Sequence, residues 1–159
     1  MSSEILSNEE RLERIRKYLQ PSEALMTTVN TFTAEEFSDL FMRSNELFII
    51  VDCRSQYAYD ISHIPHAITL EQYNERFPKD KLPYARTIFY SHLGDEIVDV
   101  VKREINRGAR AYNLVGGFIS WGHFNKYMDN KEDTIPKQIV VPDVNKQWQV
   151  DTLEAIFEN

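Results

Sequence analysis

The segment LFIIVDC, Leu47–Cys53, decides the fold class. It begins with an unbroken run of large apolar residues that ends at Asp52. The run is too short for a buried helix and is typical of a strand covered on both faces. Similar runs recur as AITL (Ala67–Leu70), TIFY (Thr87–Tyr90) and AYNLV (Ala111–Val115). Because helical patterns lie between these strands, the sequence predicts a mainly parallel sheet and an α/β fold.

Helix signals surround these strands. Apolar residues at spacings of three and four predict helices over Thr33–Arg43, Asp95–Asn106 and Phe118–Met128. The first of them opens with a capping box formed by Thr33 and Glu36. The pair Gly116-Gly117 lets the chain leave the preceding strand at backbone angles that residues with a Cβ avoid. The segment TIFY, the helix after it and AYNLV therefore form a strand–helix–strand unit.

Residues 1–32 are predicted to be an N-terminal extension with one amphipathic helix over Asn8–Leu19. Ser7 and Glu10 form a capping box, and the apolar face consists of Leu12, Ile15 and Leu19. This face either packs on the protein's own domain or binds a partner.

Residues 129–159 are predicted to be a C-terminal extension. It contains a short strand around Gln138–Val141, between two prolines, and a final helix near Lys146–Phe157. Trp148 and Phe157 give this segment more apolar surface than a free tail exposes to water. As at the N-terminus, folding back on the domain and docking on a partner are the two alternatives.

The charge of the chain narrows the set of partners. Among 159 residues, 25 are acidic and 18 are Lys or Arg, which gives a net charge of −7. This balance disfavours nucleic acid and anionic membrane surfaces, and it suits a protein partner with a basic surface. No apolar run is long enough to span a bilayer. The acidic N-terminal segment resembles neither a signal nor a transit peptide, so we expect a soluble cytoplasmic protein.

The single cysteine, Cys53, excludes an internal disulfide and a paired-cysteine metal or redox site. The four histidines show no metal-binding spacing, and we expect neither a metal nor a cofactor. Cys53 follows a buried strand and is interpreted as a small apolar residue. A serine hydrolase built from Ser91 with His92 or His63 has little support, because the nucleophile-elbow motif is absent.

Three stretches together resemble the rhodanese-like domain family. They are VDCRSQYAYDISHIPHAITL (Val51–Leu70), IFYSHLGDEIVDVVKREI (Ile88–Ile105) and YNLVGGFISW (Tyr112–Trp121). The resemblance covers about residues 33–128 and implies a three-layer α/β/α domain with a mainly parallel sheet of about five strands. The residues that match the family motifs are given structural roles: Asp52, Arg54, His63, Gly116, Gly117 and Trp121.

The resemblance also implies where an active-site loop would lie: Ser91, His92, Leu93, Gly94, Asp95 and Glu96. Active members of the family carry a cysteine at the first of these positions and often a basic residue at the last. A serine hydroxyl cannot carry a persulfide, and two carboxylates repel an anionic substrate. We therefore expect no catalytic residue here. We also expect Asp95 and Glu96 to take, from inside the chain, the electrostatic place of an anionic substrate.

These residues favour a catalytically inactive rhodanese-like domain that serves as a protein-binding or assembly subunit of a larger complex. Two alternatives stay open. One is a sulfurtransferase or phosphatase-like enzyme that uses the loop in an unrecognised way. The other is recognition of an oxyanion or a modified side chain by loop 91–96.

Overall fold

The structure, a computed structural model, describes residues 7, 9, 10, 13, 26, 27, 29–125, 127–142, 150 and 153–158. The central sheet has five parallel strands in the order β1-β5-β4-β2-β3. Their bounds are β1 Thr31–Thr33, β2 Ile49–Asp52, β3 Ile68–Thr69, β4 Thr87–Tyr90 and β5 Ala111–Val115. A separate parallel pair consists of β6 Gln138–Val141 and β7 Glu154–Phe157.

Within residues 29–125, five helices connect the strands: α1 Ala34–Arg43, α2 Gln56–Ile61, α3 Leu70–Arg76, α4 Val98–Asn106 and α5 Gly117–Phe124. A 3-10 turn, Asp95–Ile97, precedes α4. The capping box of Thr33 and Glu36 opens α1 as predicted, since each side chain bonds the other residue's backbone N–H. A second capping box, of Thr69 and Gln72, opens α3.

The alternation of strand side chains creates two cores, one on each face of the sheet. Ile88 and Leu114 pack with Phe37 of α1 and Phe118 of α5 on one face. On the other face, Phe89 packs with residues of α3 and α4. Helices therefore cover both faces, and the predicted α/β/α layering and five-stranded parallel sheet are confirmed.

The predicted final helix is wrong where the structure describes it. Residues Glu154–Phe157 form β7, which pairs in parallel with β6. The apolar residues around 153–157 satisfied a helical spacing, but here the backbone groups bond a neighbouring strand. The predicted strand Gln138–Val141 has the observed bounds of β6.

The C-terminal segment packs on the domain itself. Ile139, Val141 and Val150 are buried in the same core as α1 and α5. The segment 129–142 is also tied down by two backbone hydrogen bonds between His63 and Asp129. Within the described residues, no helix combines the length and the hydropathy needed to cross a lipid bilayer.

Candidate functional site

The carboxyl ends of β2 and β4 meet in a buried network of three polar side chains. Arg54 donates from Nε to Oδ1 of Asp52 at 3.0 Å and from Nη2 to Oδ2 at 2.7 Å, and both side chains are completely buried. The Tyr90 hydroxyl donates to Asp52 Oδ2 at 2.7 Å and accepts from the Ile64 N–H at 3.1 Å. Arg54 also reaches the Ser62 carbonyl at 2.6 Å.

This network leaves no reactive group exposed. Burial, and then the Asp52 charge, raise the pKa of Tyr90 well above its ordinary value, so that the phenol stays protonated and can donate. The Arg54 guanidinium also lies 4.2 Å from the centroid of the Phe118 ring, which covers it from α5. Asp52 and Arg54 therefore join β2 to the loop before β3.

The loop that follows β4 begins with Ser91, whose residue surface is 3% exposed. The Ser91 hydroxyl accepts from the Gly94 N–H at 2.8 Å, and the Glu96 carboxylate accepts from the Leu93 N–H at 3.3 Å. These two backbone donors would otherwise be free to bind an anion. The loop thus supplies its own acceptors from Ser91 and Glu96.

The loop is also held from outside by β5 and α5. The first amides of α5 donate to loop carbonyls: Phe118 N–H to Ser91 at 2.9 Å and Ile119 N–H to His92 at 3.3 Å. The Asn113 side-chain amide donates to the Gly94 carbonyl at 2.9 Å. The N-terminal donors of α5, which could also attract an anion, are therefore bonded to the protein's own backbone.

Gly116 and Gly117 permit this close approach. Both have positive φ, and a Cβ at Gly117 would lie 2.5 Å from the carbonyl oxygens of Ser91 and His92. No side chain larger than hydrogen fits at Gly117 without moving the loop. In the glycine pair that looked like a turn signal, Gly117 is therefore a steric requirement of the site, and Gly116 has a φ of +82°.

His92 lies in this loop directly after Ser91 and is partly buried. Burial, and then the Arg54 charge, lower its pKa, while the carboxylates of Glu96, Asp52 and Glu158 oppose the shift. The ring is therefore neutral near pH 7. Its Nδ1 atom and Arg54 Nη1 are both buried without a hydrogen-bond partner among the described residues.

The other two motif residues also have structural contacts. His63 donates from Nδ1 to the Tyr59 carbonyl at 2.7 Å, and its ring stacks on the Tyr59 ring at 3.8 Å. Trp121 is fully buried and donates from Nε1 to the Tyr127 carbonyl at 2.7 Å. In the part of the chain that is described, neither His63 nor His92 bonds Ser91, so the hydrolase arrangement is not formed.

Cys53 faces the second core, where it packs with Val51 and its neighbours. Burial, and then the Asp52 charge, raise the pKa of its thiol far above the ordinary value, which opposes formation of the reactive thiolate. The described residues also contain no group of three or more His, Cys, Asp or Glu side chains that could hold a metal ion.

The partner-binding candidates fall mostly outside the described residues. Leu12, Ile15, Leu19 and Trp148 cannot be placed, and Phe157 lies at the end of β7 with 45% of its surface exposed. Of the N-terminal segment, the Glu10 N–H donates to the Ser7 hydroxyl at 3.2 Å, as the predicted helix start requires.

The sequence profile described as Rhodanese-like domain matches residues 33–123. The chain belongs to the rhodanese-like domain family. The match spans more than half of the chain, including β2, the loop after β4 and the glycine pair before α5. A comparison with curated proteins gave no match.

Solved structures share the fold at low sequence identity. A rhodanese-like domain protein from Staphylococcus aureus is 21% identical with a TM-score of 0.52, and the match covers 64% of this chain and 98% of that one. The rhodanese-like domain of the Alr3790 protein from Anabaena sp. is 17% identical with a TM-score of 0.54 and covers 72% and 89%. A thiosulfate sulfurtransferase from Pseudomonas aeruginosa is 21% identical with a TM-score of 0.53, covering 65% of this chain and 20% of that chain.

Two residues of the site escaped the sequence analysis. Tyr90 was interpreted only as the last residue of a strand, and Asn113 only as part of AYNLV. The available signal was polarity inside a buried strand, because a buried polar side chain requires a hydrogen-bond partner. Neither partner, Asp52 for Tyr90 and Gly94 for Asn113, is near in sequence.

Proposed function

We propose that this protein is a rhodanese-like domain without sulfurtransferase activity that serves as a protein-binding or assembly subunit. The observation that carries the proposal is the occupation of the loop by the chain's own groups. Ser91 and Glu96 accept from the Gly94 and Leu93 amides, and α5 donates to the loop carbonyls. An incoming anion would have to displace acceptors that are already held within the chain.

The side chain at the first loop position also supports the absence of sulfurtransferase activity. Ser91 presents a hydroxyl where persulfide transfer requires a thiolate, and the hydroxyl is buried and hydrogen-bonded. Asp95 and Glu96 add two exposed carboxylates beside the loop. They repel thiosulfate, phosphate and any developing thiolate through like-charge interaction.

The charge of the molecule supports a binding role. With a net charge of −7, the surface favours encounter with a partner that presents a basic face, and the contribution is largest to the association rate. This charge balance also opposes nucleic acid as a partner.

The test is a thiosulfate:cyanide sulfurtransfer assay on the native chain, Ser91→Ala, Ser91→Cys and Ser91→Cys/Glu96→Gln. The native chain and Ser91→Ala should both show background turnover. Ser91→Cys should transfer little sulfur, because the two carboxylates still disfavour a thiolate. Removing one charge in the double variant should raise its rate roughly fivefold.

Two outcomes would contradict the proposal. Turnover by the native chain that disappears in Ser91→Ala would establish an unrecognised enzyme. Stabilisation of the native chain by thiosulfate or phosphate in a thermal-shift titration, increased in Glu96→Gln, would instead establish an oxyanion-binding loop.

A further inference from the structure

The two strands of the C-terminal pair differ sharply in burial. Three of the four residues of β6 are buried, and Ile139 and Val141 belong to the core shared with α1 and α5. None of the four residues of β7 is buried, and Phe157 is 45% exposed. Strand β6 is therefore a fixed part of the domain, whereas β7 lies on its outside.

Strand β7 is held by three kinds of contact. It pairs in parallel with β6, and the Glu154 N–H donates to the Lys137 carbonyl at 2.8 Å. Leu153 and Ala155 lie partly buried against the core. At its end, the Glu158 carboxylate accepts from the Ser55 hydroxyl at 2.7 Å, beside the carboxyl end of β2.

A parallel pair of only two strands is a weak arrangement. Parallel strands are ordinarily found in larger sheets that are buried on both faces, and an isolated pair of strands is marginal in water. Here β6 gains its stability from the core. Strand β7 depends on the ladder, on side chains that are only partly buried, on a 3.4 Å hydrogen bond from Gln138 to Glu154 and on the exposed Glu158 carboxylate. An extended segment with the same features could replace β7 without disturbing the domain.

We propose that β6 and Ser55 form a docking site for an extended segment of a partner protein, a site that β7 occupies in this structure. The segment would carry an aliphatic residue, then a small apolar residue two positions later, and an acidic residue three positions after that. These positions correspond to Leu153, Ala155 and Glu158. The proposal rests on the proposed binding function and names its surface.

The mode of recognition is strand addition to a sheet edge. Main-chain hydrogen bonds to β6 supply affinity, the two apolar side chains fit the places of Leu153 and Ala155, and the carboxylate bonds Ser55. Because β7 competes from within the same molecule, a partner must be locally concentrated or must carry a better-fitting segment.

The ladder itself supplies a matched pair of variants. Alternate residues of a parallel strand direct their N–H groups to the same neighbour, so Glu154 and Ile156 donate to β6 and Phe157 does not. Ile156→Pro therefore removes a ladder hydrogen bond, whereas Phe157→Pro removes an N–H that points away from β6, at a residue that is 45% exposed. Both changes are made in the full chain.

The experiment titrates each full chain into a fluorescent peptide with the sequence of residues 150–159 and follows anisotropy. Ile156→Pro should bind the peptide at least about tenfold more tightly than the native chain, because its own strand no longer competes. Phe157→Pro should behave like the native chain. Circular dichroism and thermal unfolding report whether each variant is folded.

Glu158→Ala in the full chain provides a second route that leaves the ladder intact. It should tighten binding of the native-sequence peptide several-fold, and the same substitution made in the peptide should weaken binding to Ile156→Pro several-fold. The inference is overturned if neither Ile156→Pro nor Glu158→Ala gains peptide binding, or if Phe157→Pro gains as much as Ile156→Pro. Such a failure would leave the sulfurtransfer result untouched, so the two proposals fail separately.

Discussion

Tyr90 is the residue that makes the Asp52–Arg54 pair tolerable in the protein interior. A buried ion pair loses the solvation of both partners, and good geometry with further hydrogen bonds must offset that loss. The Tyr90 hydroxyl supplies one such bond to Asp52 and also satisfies the Ile64 N–H. One phenol therefore stabilises both the strand ends and the loop that follows α2.

Tyr90→Phe should lower the free energy of unfolding by about 1–3 kcal/mol. It leaves the buried Ile64 N–H without its hydrogen-bond acceptor and removes one hydrogen bond to the buried Asp52 carboxylate. Urea denaturation at pH 7 measures the effect. Tyr84→Phe is the matched control, since Tyr84 is 97% exposed and its change should cost less than about 0.5 kcal/mol. Equal stabilities for the two variants would contradict the role given to Tyr90.

His92 should make the fold sensitive to mild acid. Its pKa is lowered in the folded protein, so below its ordinary value of about 6.5 the unfolded chain binds the proton first. The free energy of unfolding therefore falls as the pH falls from about 6.5 towards the lower folded pKa. His92→Asn should make this dependence shallower, because it removes the titrating ring. Urea denaturation of the native chain and of His92→Asn between pH 7.5 and pH 5 measures how steeply the stability of each depends on pH. Equal slopes for the two proteins would contradict the role given to His92.

For individual residues, the sequence indicates a side-chain contact only where the two partners are close together in the chain. Asp52 and Arg54 are two positions apart, so their pairing could be predicted from spacing alone. The Tyr90 bond to Asp52 joins residues 38 apart and depends on which strands become neighbours in the sheet. A local sequence pattern does not predict contacts between residues that are this far apart in the chain.

The start of α5 is the element that closes the loop. Its first amides bond the Ser91 and His92 carbonyls, and Gly117 lets the two backbones meet. This places the loop between β4 and the helix with no space for an inserted side chain. The start of α5 therefore fixes the position of the loop through these hydrogen bonds and the close approach at Gly117.

Gly117→Ala should lower the free energy of unfolding by about 3 kcal/mol, through a Cβ that clashes with two carbonyls and a φ of +58°. Gly108→Ala is the comparison, because its φ is +103° but its Cβ would meet only the Leu82 side chain at 3.2 Å. It should cost about 1 kcal/mol. If the two variants unfold at the same urea concentration, the close approach at Gly117 is not the constraint described.

Elements with strong local signals were predicted well. The strands Thr87–Tyr90, Ala111–Val115 and Gln138–Val141 have the observed bounds, and α1 begins after its predicted cap. The C-terminal helix was wrong in its described part because Leu153, Ile156 and Phe157 satisfy a helical spacing as well as a strand. Only the presence of β6 beside them decides the outcome, as tertiary context often does for short apolar segments.

Across the whole molecule, residues beyond the family match contribute to the same core. Ile139 is fully buried against the domain, whereas Ile135, four residues earlier, is 85% exposed. The described part of the C-terminal segment therefore shares one hydrophobic core with α1 and α5. An extension that is part of the core also holds β6 in place for a partner strand.

Ile139→Ala should cost about 2–4 kcal/mol, and Ile135→Ala less than about 0.5 kcal/mol. Far-UV circular dichroism and tryptophan fluorescence should report one coincident transition in urea for both variants. Two separate transitions would show that the C-terminal segment unfolds independently of the domain.

The central claim, that this rhodanese-like domain is a binding or assembly subunit, is tested most directly by the native mass of the endogenous protein. Gentle extraction, size separation and mass-spectrometric identification of the co-migrating chains give that mass. The account predicts a stoichiometric assembly far larger than the 18.7 kDa of the chain alone. A protein that migrates by itself at its monomer mass would contradict the account.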